Sequence, residues 1–264
     1  MPVPLFQVDA FTDRPFRGNP AAVCPLEKWL DDELLQAIAA ENNLSETAYF
    51  VPEGPDYRLR WFTPRSEVDL CGHATLASAF VLFTILEPAR EGVRFATRSG
   101  MLSVRREKDW LSMDLPALPP WKCSALPAAL LDGLKLDSDR ASVLQLKDNY
   151  LVVYKSESEV KILRPDLRLI ETLHPAGVCV TAPGDEVDFV SRYFAPSYGI
   201  PEDPVTGSTH CSLTPYWSQR LGKTKLRARQ ISERGGELHC ELAGDRVLVK
   251  GKAVLTVRGS LLLE

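Results

Sequence analysis

Apolar and polar residues alternate in many short stretches of this chain, and such alternation predicts β-strands. In the first half the stretches are residues 4–10, 47–52, 57–63, 93–98, 101–106 and 110–115. In the second half they are residues 142–147, 150–155, 158–163, 177–182, 187–195, 225–232, 237–242, 246–250 and 253–263. Polar turns at Glu107–Asp109 and Ala243–Asp245 indicate that several neighbouring strands form hairpins.

Fewer segments follow a helical period. Asp31–Glu41 carries an apolar stripe with Asp31 at the N-cap position, which predicts an amphipathic helix. Gly72–Leu86 has no polar face, so a helix there must be surrounded, and the neighbouring strands are the available cover. A further helix is expected after Gly207, with a distortion one turn before Pro215 because proline removes a helical hydrogen bond.

The chain contains an internal repeat. Arg60–Pro64 reads RWFTP and Arg192–Pro196 reads RYFAP, at an offset of 132 residues. Arg98–Ser103 resembles Arg234–His239 at an offset of 136. Two matches in the same order and at nearly the same offset indicate two homologous halves.

The repeat also predicts the domain organisation. Three prolines within residues 115–121 are typical of a linker. We therefore expect an N-terminal domain over 1–116 and a C-terminal domain over 117–264, with the last strand, 253–264, pairing back onto the first. The predicted fold class is α+β, with two pseudo-symmetric domains, each an antiparallel sheet curled around a central buried helix.

Charge and hydropathy exclude several classes of function. The formal net charge is −4 over 264 residues, which provides no basic surface for nucleic acid and no attraction to an anionic membrane. The longest apolar stretch, Ala74–Leu86, is shorter than the roughly 20 residues that a membrane span needs. The N-terminus has no apolar signal-peptide region. We expect a cytoplasmic protein with no nucleic-acid or membrane partner.

Cofactor motifs are absent from the sequence. The six cysteines are each separated by more than 25 residues, and the four histidines are equally dispersed, so no zinc-binding spacing occurs. Neither a phosphate-binding P-loop nor a GxGxxG dinucleotide motif is present. We expect reduced thiols, no metal and no cofactor, so any chemistry must come from side chains and backbone dipoles.

The starts of the two most prominent helices are the first candidate sites. Gly72–His73 and Gly207–Ser208 occupy equivalent positions in the repeat, and each helix start offers unpaired backbone N–H groups. If the two face one cleft between the halves, they would bind a carboxylate without arginine or metal. The alternative is that these glycines only relieve strain in a turn.

Three residues near these two helix starts have more than one possible role. His73 is either a packing histidine or a proton-transferring group. Asp203, which precedes Pro204, either forms an Asx-turn or orients an acid or base. Cys71 would act as a nucleophile or base only as a thiolate, and its counterpart in the repeat is Thr206, so a two-thiol racemase is not supported.

Several motifs together resemble the PhzF (phenazine biosynthesis) family, within the diaminopimelate-epimerase-like fold, over nearly the whole chain. The matching stretches are Asp9–Phe11, Arg17–Val23, Asn43–Ala48, Arg60–Pro64, Cys71–Thr75, Arg192–Pro196 and Glu202–Ser208.

The resemblance implies a set of roles. It implies that Glu46, in the Ser-Glu-Thr motif, is the group that shuttles a proton, whereas most glutamates at a helix–strand junction are merely solvated. It places His73 and Asp203 with Glu46 as catalytic residues. The substrate-binding positions that it implies, together with the adjacent thiol, are Asn19, Cys71, Gly72, Gly207 and Ser208.

The family resemblance further implies a homodimer that isomerises a small, dihydro-hydroxyanthranilate-like carboxylate without cofactor or metal. Such a proton shift needs a group that accepts and returns a proton, and oriented N–H donors for the developing negative charge. Two other functions stay open. A one-base amino-acid racemase or epimerase would need a second proton donor, for which Cys71, His73 and Asp203 are the candidates. The other is a metabolite-binding protein without catalysis.

Overall fold

The structure is a computed structural model that describes residues 2–136 and 142–263. The chain divides into two compact units. The first comprises the residues up to Leu115 together with those from Leu248 onward, and the second runs from Pro116 to Val247.

The first unit consists of a mixed sheet and two helices. Its strands are β1 (Val3–Ala10), β2 (Asn19–Pro25), β3 (Glu46–Glu53), β4 (Asp56–Phe62), β5 (Glu67–Val68), β6 (Gly92–Thr97), β7 (Gly100–Glu107), β8 (Trp110–Pro116) and β18 (Ala253–Leu261). The helices are α1 (Asp32–Asn42) and α2 (Gly72–Val81), and α2 continues into a turn of π-helix at Leu82–Leu86.

The second unit has more helices, most of them short. Its strands are β9 (Trp121–Lys122), β10 (Ser142–Leu146), β11 (Asn149–Val153), β12 (Val178–Pro183), β13 (Phe189–Ala195), β14 (Ile200–Asp203), β15 (Lys225–Gln230) and β16 (Gly236–Ala243), with β17 (Arg246–Gly251) at the boundary. The helices are α3 (Ala128–Leu134), α4 (Glu157–Ile162), α5 (Leu167–Glu171) and α6 (His210–Leu221), with a 3₁₀ turn at Pro196–Tyr198.

The order of strand pairing is the same in both units. In the first, β1–β2 is antiparallel, β2–β3 parallel, β3–β4 and β4–β5 antiparallel, β4–β6 parallel and β6–β7 antiparallel. In the second, β10–β11 is antiparallel, β11–β12 parallel, β12–β13 and β13–β14 antiparallel, β13–β15 parallel and β15–β16 antiparallel. The repeat in the sequence thus corresponds to a repeat in topology.

The predicted α+β class is confirmed, and the sheets are mixed rather than purely antiparallel. The parallel pairs arise where a helix connects two strands, as α1 connects β2 to β3, because a parallel pair requires a crossover connection. The last strand, β18, pairs antiparallel with β1 inside the first unit. In the same way, β9 pairs antiparallel with β10 inside the second.

Helix α2 is buried on every side. Nine of its ten residues are buried, and strands β1, β2, β3 and β18 pack against it. Gly251 allows this close packing, since a Cβ atom there would lie 2.4 Å from Phe11 and 3.2 Å from Leu76 of the helix. Within the described residues, no helix is long and apolar enough to cross a membrane.

Two sequence predictions about secondary structure were wrong. Residues 158–163, expected to be a strand, lie largely in α4, because Ser156 caps the helix by accepting a hydrogen bond from the N–H of Glu159. The Glu159 carboxylate in turn accepts one from the N–H of Lys155. Strand β2 was missed because its residues are almost all buried, so no alternation marks it.

Helix α6, which corresponds to the helix predicted after Gly207, differs from its prediction in two ways. Helix α6 begins at His210, three residues after Gly207, and it is continuous through Pro215. The proline leaves the carbonyl of Cys211 without its helical donor, and the N–H of Leu118 donates to that carbonyl at 2.9 Å instead. The replacement hydrogen bond explains why the helix is not interrupted.

The repeated arginines hold equivalent positions. Arg60 forms a two-pronged ion pair with Glu67, with both N–O distances 2.8 Å, and Arg192 does the same with Glu202 at 2.8 and 2.9 Å. Each guanidinium also lies over the phenylalanine two residues later, about 5 Å from the ring centre. Arg192 additionally donates to the carbonyls of two residues at the end of α4, Val160 and Leu163.

Arg192→Lys should lower the free energy of unfolding by about 2 kcal/mol, because lysine keeps the charge but cannot bind the Glu202 carboxylate and both backbone carbonyls together. Urea denaturation measures the change. Arg168→Lys is the matched control, since the side chain of Arg168 is 91% exposed and pairs with Asp166, two residues before it. Equal stability of the two variants would contradict the structural role of Arg192.

Candidate active site

Asn19 is positioned by a tight return of the chain between β1 and β2. Gly18, which precedes it, has φ +66°, and a Cβ there would lie 2.1 Å from the carbonyl oxygen of Ala10. Only glycine fits this approach. Asn19 then pairs with Ala10 across the two strands and is fully buried. Its side chain is therefore fixed at the first position of β2.

Glu46 and His73 are placed by the ends of two helices. Helix α1 ends at Asn43, whose left-handed backbone (φ 48°) turns the chain toward β3, and Glu46 is the first residue of that strand. Cys71 is the extended N-cap residue of α2, and His73 is the second residue of the helix. Both helix ends thus bring a functional side chain close to Asn19.

Three of the expected site residues, Asn19, Glu46 and Cys71, surround the imidazole of a fourth, His73. Its Nε2 atom lies 3.2 Å from Oε2 of Glu46, and its Nδ1 atom lies 3.1 Å from Nδ2 of Asn19. The Sγ atom of Cys71 is 3.5 Å from the same Nδ1 atom. The side chain of His73 is 5% exposed and that of Glu46 is 12% exposed. The cluster is therefore nearly shielded from water.

The hydrogen bonds assign the form of the imidazole. Burial lowers the pKa of His73 from 6.5 to about 3, so the ring is neutral at pH 7. An amide Nδ2 atom is only a donor, so Nδ1 of His73 must accept. The remaining ring proton is then on Nε2, which lies 3.2 Å from Oε2 of Glu46. His73 thus contacts the Glu46 carboxylate as a neutral ring rather than as its cationic partner.

The second unit contains the other expected residues. The side chain of Asp203, at the end of β14, accepts a short hydrogen bond from the hydroxyl of Thr206. Gln230 joins the two residues: its Nε2 atom donates to the backbone carbonyl of Asp203 at 2.7 Å, and its Oε1 atom accepts from the N–H of Thr206 at 2.9 Å. All three residues are buried. Asp203 is therefore held rigidly.

Gly207 and Ser208 precede helix α6 instead of starting it. They belong to a turn in which their carbonyls accept hydrogen bonds from the N–H groups of His210 and Cys211, both at 3.1 Å. The expectation that α6 starts at Gly207 was wrong, because the chain forms this turn before the helix begins. In the first unit, by contrast, α2 does begin at Gly72.

Sequence reasoning missed Gln230 as part of this arrangement. It lies at the end of β15, outside every motif that the two halves share, so no signal in the sequence pointed to it. Thr206 was considered only as the counterpart of Cys71. Its contact with Asp203 depends on the chain folding back between β14 and α6.

Comparison with known proteins identifies the family. A family model described as phenazine biosynthesis-like protein, PhzC-PhzF, matches residues 8–259. The chain belongs to the PhzC-PhzF family. The resemblance seen in its motifs is thereby confirmed.

Individual PhzC-PhzF relatives match over the full length. A Pseudomonas aeruginosa protein named as an uncharacterized isomerase is 58% identical, over 99% of each chain. The crystal structure of a phenazine biosynthesis protein of the PhzF family from Enterococcus faecalis has a TM-score of 0.94 at 46% identity, over 100% of each chain.

A more distant structure shares the fold alone. It is a hydroxyproline epimerase from Agrobacterium vitis, with a TM-score of 0.64 at 11% identity, over 98% of this chain and 92% of that one. The expected likeness to epimerase folds is confirmed at the level of the fold.

The neutral state of His73 can be measured by NMR of the ¹⁵N-labelled protein. We expect the Nε2–H tautomer to persist from pH 8 to about pH 5, whereas free imidazole side chains titrate near 6.5. Between about pH 6.5 and 3 the unfolded chain binds a proton that folded His73 does not, so this residue lowers stability as pH falls. His73→Gln identifies the signal, and a protonated ring at pH 6 would contradict the assignment.

Proposed function

We propose that this chain is an isomerase that shifts a proton within a small carboxylate, with Glu46 as the acid/base group. One observation carries the proposal, namely the contact between the nearly buried Glu46 carboxylate and a neutral His73 that Asn19 orients. Family membership and the relative named as an isomerase support the reaction class. A dihydro-hydroxyanthranilate-like compound is the proposed substrate.

Proton transfer by this pair needs no other reactant. The Glu46 carboxylate takes a proton from a substrate carbon, and the electron pair of the broken C–H bond moves into the conjugated system as a dienolate. Glu46 then returns the proton to a different carbon, and the double bond ends in a new position. Atoms and charge balance because the proton leaves and returns within one molecule.

His73 serves this cycle as a hydrogen-bond donor. Its Nε2–H group orients the carboxylate of Glu46 in both halves of the cycle, and a neutral ring does not bind the carboxylate as tightly as a cation would. Asn19 acts through His73 by occupying Nδ1, so it is a positioning residue. The first-turn N–H groups of α2, beginning at Gly72, are the proposed donors to the substrate's anionic group.

The assignments in the second unit stay predictions. Asp203, Gly207 and Ser208 have the roles that the family resemblance implies, and their test is substitution with the same assay as for Glu46. The homodimer and the cytoplasmic location are likewise proposals. Light scattering after gel filtration tests whether the protein is a homodimer.

Glu46→Gln should reduce proton exchange by about 10²-fold or more, because the amide cannot accept a proton. The wild type and the variant are incubated in heavy water with 2,3-dihydro-3-hydroxyanthranilate and a panel of small carboxylates, and NMR follows deuterium uptake. Glu53→Gln is the matched control, at the exposed end of the same strand. Undiminished uptake in Glu46→Gln would refute the role of Glu46, and no uptake by the wild type from any compound would favour a metabolite-binding protein.

A one-base racemase or epimerase of an amino acid is the second candidate function. The observation that favours it is the contact between Cys71 and the imidazole, which places a second proton-carrying group beside the first. In that case Cys71→Ser should abolish the formation of D-amino acid from L-amino acid, measured by chiral chromatography. Cys123→Ser is the control, since Cys123 is the one cysteine that is not buried. Isomerase activity that survives in Cys71→Ser would favour the isomerase over the racemase.

A further inference from the structure

Glu46, Cys71 and His73 together present a set of metal-binding side chains. They offer a carboxylate, a thiol and an imidazole, and one ligand atom from each lies within 4.8 Å of the other two. These are the side-chain types that bind Zn²⁺ in proteins. Three protein ligands, with a fourth position left for water, are sufficient for a tetrahedral ion.

The distances place the thiol and the carboxylate beside different nitrogens of the same ring. Two ligand atoms on a tetrahedral Zn²⁺ lie about 3.4 to 3.6 Å apart, from the usual metal–ligand bond lengths. Sγ of Cys71 is 3.5 Å from Nδ1 of His73, and Oε2 of Glu46 is 3.2 Å from Nε2. Each acidic group is thus already at ligand separation from one ring nitrogen. Because one ion binds only one ring nitrogen, binding requires the carboxylate or the thiol to move, from a separation of up to 4.8 Å to about 3.5 Å.

The charges balance for a divalent cation. A thiolate and a carboxylate carry two negative charges and the imidazole none, so one divalent ion makes the cluster neutral. Neutrality matters here because unpaired charge is costly in a site as buried as this one. The thiolate favours soft, thiophilic ions over Mg²⁺ or Ca²⁺. The 12% exposure of the Glu46 side chain leaves a side of the cluster open to the solvent.

We propose that Glu46, Cys71 and His73 bind one thiophilic divalent cation, such as Zn²⁺ or Cd²⁺, and that the bound cation inhibits the enzyme. Inhibition follows because a carboxylate that coordinates a metal cannot accept a proton. The inhibition rests on the proposed function of Glu46, whereas the binding does not.

Binding is tested without substrate. The protein, freed of metal with a chelator, is dialysed against Zn²⁺ and its metal content is measured. A separate metal-free sample is titrated with Co²⁺ as a probe, because a cobalt–thiolate bond gives a charge-transfer absorption band. We expect one Zn²⁺ per chain and the band in the wild type and in Cys123→Ser, and loss of both in Cys71→Ser and His73→Ala. Circular dichroism checks that the variants are folded.

The outcomes separate the two proposals. A wild type that binds no Zn²⁺, or shows no cobalt–thiolate band, overturns the metal site whatever the enzyme does. Equal binding by wild type and folded Cys71→Ser also overturns it. If one Zn²⁺ binds and deuterium uptake stops until a chelator is added, the inhibitory site is supported. If Zn²⁺ binds and uptake continues, inhibition is refuted while the isomerase proposal is tested separately by Glu46→Gln.

Discussion

The burial of helix α2 is the constraint on which the first unit depends. A helix without a polar face has no stable position at a surface, so strands must pack against it from several directions, as β1, β2, β3 and β18 do. The first residues of the helix are then buried as well. The same packing that stabilises the unit therefore also excludes water from Cys71 and His73.

Desolvation explains why a histidine and a glutamate in contact do not simply form an ion pair. A charged His73 would lose its hydration in exchange for one carboxylate, and burial lowers its pKa to about 3. A neutral ring is left with one donor and one acceptor atom. Asn19 uses the acceptor, and the other ring nitrogen lies 3.2 Å from Oε2 of Glu46. Three residues from three different elements thus meet at one neutral ring.

The sequence predicted the parts of the structure that depend on local pattern or on repetition. Alternation located most of the strands, and the all-apolar stretch from Gly72 located the helix that the sheet must surround. Prediction from alternation failed at α4, where Ser156 caps a helix in spite of a strand-like pattern. It also failed at β2, where most residues are buried and the alternation is lost. The start of α6 was wrong for a similar reason, since the turn at Gly207 is decided by backbone hydrogen bonds.

The structure brings several of the predicted site residues together, but their contacts were not predictable. Family motifs named Asn19, Glu46 and His73, yet no spacing in the sequence states that an asparagine 54 residues before a histidine will set its tautomer. Gln230 is a clearer example of a residue whose contacts the sequence does not reveal. It lies outside every repeated motif, and its importance to Asp203 follows only from the fold.

The two halves use the same topology for different side-chain chemistry. In the first unit Cys71, the N-cap residue of α2, has a thiol that contacts an imidazole. In the second unit Thr206, four residues before α6 begins, has a hydroxyl that donates to a carboxylate. Four residues further on, Thr75 donates to the carbonyl of Cys71, and His210 contacts the carbonyl of Thr206. The contact with a backbone carbonyl four residues earlier is thus retained while the side chains differ. Since only the first unit places a thiol, an imidazole and a glutamate together among the described residues, the proposed metal site belongs to that unit.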